Sequence, residues 1–171
     1  MLQWWLPVFF SHCRQMWFRF RLVLLFTVFA AAPTGAAMSQ LQQFPTGSLT
    51  IESAGGPHTF AIEVAATPAQ MEQGLMFRRS LAPDSGMIFD FKTPSMATMW
   101  MKNTLIPLDM LFVDAQGRIV NIHERAVPGS LDTISAAAPV RAVVELNGGT
   151  AARLGIRPGD RVVFPIFGNA S

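Results

Sequence analysis

Residues 99–114 read MWMKNTLIPLDMLFVD. An apolar trio, Met99-Trp100-Met101, gives way at once to Lys102-Asn103-Thr104, and a second apolar run follows with Asp109 set inside it. Two short apolar runs bounded by turn residues read as strands. Asn103 and Pro107 suit the turn between them. Trp100 beside a polar loop is also how a planar or sugar-like ligand is gripped, although a core tryptophan explains it as well. The stretch therefore predicts a β protein whose strand ends present Lys102, Asn103 and Thr104 as a polar lip. Asp109 is expected to return from the next strand and hold that lip.

Outward from this stretch the pattern is mostly short strands. Leu49 and Ile51 alternate with Thr50 and Glu52, and Phe60, Ile62 and Val64 alternate with Thr59, Ala61 and Glu63. These spacings predict strands over 48–53 and 58–65. Further strands are predicted over 86–91, 97–101, 108–113, 118–124, 140–146 and 161–167, with a hairpin loop at Asp114-Ala115-Gln116-Gly117. Thr67-Pro68-Ala69-Gln70 has the form of a capped helix start, ending near Gly74. Residues 147–155 predict a second helix of one or two turns, closed by Gly155. The fold class expected is mainly β, an antiparallel sandwich or partly closed barrel with two short helices. No long alternation of strands and helices supports a dinucleotide fold.

The start of the chain is different. Arg14, Arg19 and Arg21 precede an apolar run, Leu22–Ala32, and then Gly35-Ala36-Ala37, with no acid among them. That order is the order of a secretory signal peptide. The run is shorter than the roughly 20 residues of a membrane-spanning helix, so no stable span is expected after the signal is removed. Residues 1–37 are read as signal, 38–47 as linker and 48–171 as one domain, periplasmic or secreted. Removing 37 of the 171 residues leaves 134, and removing three of 13 Lys and Arg leaves 10 against 11 Asp and Glu. The net charge falls from +2 to −1, so the basic balance belongs to the export segment and gives no reason to expect nucleic acid as a partner. The single cysteine, Cys13, leaves with it.

Several fragments together form a recognisable ordered set: Gly74-Leu75-Met76-Phe77-Arg78, Gly86-Met87-Ile88-Phe89, Trp100-Met101-Lys102-Asn103-Thr104, Ile106-Pro107-Leu108-Asp109, Val144-Glu145-Leu146, Gly155-Ile156 and Gly159-Asp160. The set resembles the bacterial and archaeal domain of unknown function 192 family over about residues 47–167. Met99 stands where that family commonly has an aromatic, and Ile88 where it commonly has Leu. The resemblance implies a compact β-rich domain, often exported, and no particular reaction.

Chemistry has few carriers. His58 and His123 are the only histidines after the signal and lie outside the motif set, which disfavours a His-based hydrolase. Asp109 and Glu145 are the two motif acids inside apolar runs, and a buried carboxylate needs a partner. Arg78 and Lys102 are the motif cations, so a structural ion-pair network joining them to Glu145, near Asn103 and Asp109, is the favoured reading. Arg78, Trp100, Lys102, Asn103, Thr104, Asp109 and Glu145 are the candidate ligand-binding residues. The partner expected is a small polar or carbohydrate-like ligand, or a component of the cell envelope, bound without catalysis. One alternative is an envelope carbohydrate hydrolase with Asp109 and Glu145 as its acid pair. Another is a Cu(I)-binding protein using Met96, Met99 and Met101, with Met76, Met87 and Met110 in other elements, since thioethers are soft ligands. Core methionine is the commoner role, and no cofactor or metal is expected.

Overall fold

The computed structural model describes residues 41–170. Strands β1 (Thr46–Ser53) and β2 (Gly56–Ala65) form an antiparallel hairpin that sets Leu49 opposite Phe60. Leu49, Ile51, Phe60 and Ile62 share one buried face, as their alternation requires. Helix α1 (Pro68–Gln73) starts with a reciprocal cap. Thr67 Oγ1 accepts from the Gln70 backbone N–H at 3.3 Å, and the Gln70 side-chain oxygen accepts from the Thr67 N–H at 3.1 Å.

Strand β3 (Ser85–Ser95) lies beside β2 and runs parallel to it, which departs from the antiparallel expectation. Residues 66–84, carrying α1, return the chain to the end of the sheet where β2 began, so the two strands point the same way. After the short strand β4 (Thr98–Met99) come β5 (Leu108–Val113) and β6 (Ile119–Ala126), paired antiparallel. In their turn, Asp114 Oδ1 accepts from the backbone N–H groups of Gln116 and Arg118 at 2.9 and 2.8 Å. The two-residue β7 (Ile134–Ser135) pairs with β4. Strand β8 (Val140–Asn147) fits between β5 and β3, helix α2 (Thr150–Leu154) follows, and β9 (Arg161–Val163) pairs with β1.

The main sheet has the order β6-β5-β8-β3-β2-β1-β9 and curls into a half-barrel. Its outer strands meet at one corner, where the Ile119 N–H donates to Asp160 O (2.9 Å) and the Val162 N–H to Gly117 O (2.7 Å). Both faces of the sheet are covered. One carries Leu49, Phe60, Ile88, Leu111, Val144 and Val162, with Ala151 of α2 against them. The other carries Met87, Phe89, Met110, Phe112 and Val143, with Leu75, Met101 and Ala136 packed over them.

Several boundaries differ from the sequence reading; β3, for one, runs on to Ser95 rather than stopping at 91. Only Thr98 and Met99 of 97–101 form a ladder, because the Met101 N–H donates to Ser130 O (3.1 Å) in a loop contact. The last strand stops at Val163, and Pro165–Phe167 forms a 3₁₀ turn; Pro165 has no N–H to continue a ladder. The end of the supposed linker joins the domain: Thr46 and Gly47 begin β1, the Val64 N–H donates to Pro45 O (2.8 Å), and Phe44 packs on the second face. The proposed signal, 1–37, lies outside the described residues. Among the described residues no helix is long and apolar enough to cross a membrane.

Candidate functional site

The site is built around Glu145. In register, its neighbours across the sheet are Met87 on β3 and Met110 on β5, both fully buried, so its side chain enters the apolar second face. It is 4% exposed and makes no hydrogen bond or ion pair with any described residue. Loss of water around it pushes its pKa from 4.5 up to about 8, so the carboxyl holds its proton at neutral pH.

The predicted ion-pair network is not what the structure contains. Arg78 is engaged by Glu63 of β2 through both guanidinium nitrogens, at 2.6 and 2.5 Å, and lies over the Phe44 ring. The Lys102 ammonium sits 5.0 Å from the centre of the Trp100 ring. Further along β8, Arg141 pairs with Asp90, which also takes Lys92. Among the described residues no cation pairs with Glu145. The misreading has a simple cause: Glu63 looks like an ordinary outward residue of an alternating strand, but the turn after α1 brings Arg78 onto it.

Above Glu145 lies a cleft of about 260 Å³. Met71 of α1, with Leu75 and Met76 just after it, forms one wall; Phe89 and Phe91 of β3 form another. Met99, Trp100 and Thr104 complete it. Gly74 lets the chain fold over the second wall, since it has φ +46° and a Cβ there would stand 2.9 Å from the Phe89 ring. Glu72 and Glu145 are the charged residues of the lining.

The opening stretch divides between this cleft and its rim. Trp100, 46% exposed, and buried Thr104 line it. The Thr104 hydroxyl is 3.4 Å from Lys102 O and donates to it. Lys102 and Asn103 are exposed at the turn beside it. Asn103 has φ +58°; its carbonyl accepts from the Phe77 N–H (2.9 Å), and its amide donates to Met76 Sδ (3.8 Å). Phe77 is also left-handed, at φ +64°, a costly state for an aromatic residue. A strained Phe77 and an Asn103 that tolerates this conformation, linked by a hydrogen bond, thus hold the rim.

Asp109 is elsewhere. It faces the side of the sheet opposite Glu145, because Asp109 pairs with Leu146 while Met110 pairs with Glu145. It is fully buried and accepts three backbone hydrogen bonds at 2.8 Å, from Arg125, Gly149 and Ala151. It therefore ties β6 and the start of α2 to β5, and does not hold the Lys102–Thr104 lip. The two acids cannot flank one glycosidic bond from opposite faces of a sheet. The Met96, Met99 and Met101 set is also divided: Met96 is 60% exposed and Met101 is buried. Of the methionines in other elements, Met76 joins Met99 in the cleft, as does Met71, which the sequence pattern did not single out.

The family model for domain of unknown function 192, described as "Uncharacterized ACR", matches residues 49–164, and the chain belongs to that family. No curated protein matches it. Among solved structures, a Sinorhizobium meliloti protein bearing the provisional description of a transcription regulator is 46% identical. That match covers 74% of this chain and 99% of the other, with a TM-score of 0.72. A Novosphingobium aromaticivorans protein of unknown function is 47% identical, covering 79% of this chain and 94% of the other, with a TM-score of 0.69.

Proposed function

We propose, on the premise that the chain is a member of this uncharacterized family, that it is an exported binding protein whose cleft over Glu145 takes a small ligand without catalysis. The observation that carries the reading is a buried carboxyl with no protein partner on the wall of a cleft. Buried polar groups in folded proteins are nearly always paired, so one left open in a concave site is a binding-site signal. Trp100 and Thr104 belong to the site, Lys102 and Asn103 to its rim, while Arg78 and Asp109 support the scaffold. Export rests on the basic segment, apolar run and small residues of 1–37. The regulator description of the S. meliloti relative finds no support in the charge of residues 38–171, which is −1. A soft metal ion is the second reading, because Met71, Met76 and Met99 share the cleft.

A fragment screen by NMR on the purified protein tests this, read at the methionine methyl and tryptophan indole signals. Binders are expected to shift Met71, Met76, Met99 and Trp100 together, and to lose affinity in Trp100→Ala. Anaerobic Cu(I) titration of the same signals examines the second reading. If binders shift only signals remote from the cleft, the site is misplaced.

A further inference from the structure

We propose that the ligand class of this cleft is a small organic ammonium, its cationic group against the Glu145 carboxyl and its carbon body against Phe89, Phe91 and Trp100. The inference rests on the cleft being a binding site and goes on to name its chemistry.

Charge is the first argument. The lining holds two carboxyls, Glu72 and Glu145, and no Lys, Arg or His. A carboxylate or phosphate ligand would meet no cation in the lining, since Arg78 is taken by Glu63, Arg141 and Lys92 are taken by Asp90, and Lys102 stays at the rim over Trp100. Aromatic surface is the second argument. Three rings, Phe89, Phe91 and Trp100, line this small space, and ring faces attract organic cations. Trp100 already holds an ammonium, that of Lys102, at 5.0 Å. Size is the third: about 260 Å³ lies just below the usual range of small-molecule pockets and suits a head group of a few heavy atoms.

The proton on Glu145 then becomes part of binding. The groups facing this carboxyl are uncharged Met87 and Phe89 from β3, Met110 from β5 and Thr104 from the rim, with Glu72 on the α1 side of the cleft. Burial holds the proton up to about pH 8. An ammonium favours the ionised carboxyl, so it binds with release of that proton to solvent. Affinity therefore rises about tenfold per pH unit below 8 and levels above it.

Calorimetry from pH 6 to 9 with choline chloride and its uncharged isostere, 3,3-dimethyl-1-butanol, tests the proposal on the purified protein. Choline is expected to bind at least tenfold more tightly at pH 8, with proton release below that pH. Glu145→Gln is expected to remove most of choline's advantage and leave the alcohol unchanged. The variant replaces a neutral carboxyl by a neutral amide, and its melting curve confirms that it folds. In a parallel arm, cosedimentation with phosphatidylcholine vesicles assigns a lipid head group as the source, and binding of free choline alone assigns a soluble ammonium. Equal affinity for the two probes, no choline binding at pH 9, or choline affinity unchanged in Glu145→Gln overturns the ammonium assignment. If the alcohol binds in the cleft and choline does not, the binding site stands and only its chemistry falls. If neither binds and the fragment screen is silent at the cleft, both fall.

Discussion

A carboxyl whose pKa rises from 4.5 to about 8 on burial takes up a proton on folding between those pH values. The folded chain then binds more protons than the unfolded one, and stability must fall as pH rises through that window. The Glu145 contribution is whole below pH 4.5, declines from there to about 8, and is constant above. At about 1.4 kcal/mol per pKa unit the full loss is on the order of 5 kcal/mol, an upper bound. Glu145→Gln should therefore match the parent in denaturant unfolding at pH 5 and exceed it by several kcal/mol at pH 9. Parallel decline of the two proteins would locate the pH dependence in another group. That Glu145 is buried could be read from its place in an apolar run. Its lack of a partner could not, because Arg78 reaches Glu63 through a turn whose direction no local spacing encodes.

At the level of elements, the local signals were legible and the distant ones were not. The Thr67–Gln70 cap and the Asp114–Gly117 turn are each a few residues long and carry their own hydrogen-bond chemistry. The parallel placement of β3 depends on where residues 66–84 lead the chain, and β7 is too short for any period to show. Asp109 illustrates the difference. Its burial shows in the sequence, but its partners lie 16, 40 and 42 residues away. It serves as a remote cap for α2, whose own N-cap, Gly149, has no side chain to offer. Asp109→Ala should cost at least about 3 kcal/mol, since three backbone donors lose their acceptor. Asp109→Asn, keeping one carbonyl oxygen, should lose less. Urea midpoints measure both, and an Ala variant within about 1 kcal/mol of the parent would mean that water replaces the carboxyl freely.

For the whole molecule, the β-rich class and the family were both legible, because strand alternation and the ordered fragments run along the chain. The cleft was not, since it is assembled from residues 71–76, 89–91, 98–104 and 145, which only the folded sheet brings together. The export reading makes its own prediction: protein recovered from the envelope fraction should begin near Met38 on N-terminal sequencing, and full-length chain retained in the cytoplasm would refute it. The corner where the outer strands meet also bears on how copies of the protein coexist at high concentration. An open sheet offers unpaired N–H and C=O groups along both margins, and these can template stacking of one chain on the next. Here Ile119 and Val162 spend such groups on Asp160 and Gly117. Farther along β6, exposed His123, Glu124 and Arg125 put polar side chains in the way. Edge-to-edge polymerisation is thus opposed at both ends of that margin, by hydrogen bonds already made at one and by polar side chains at the other.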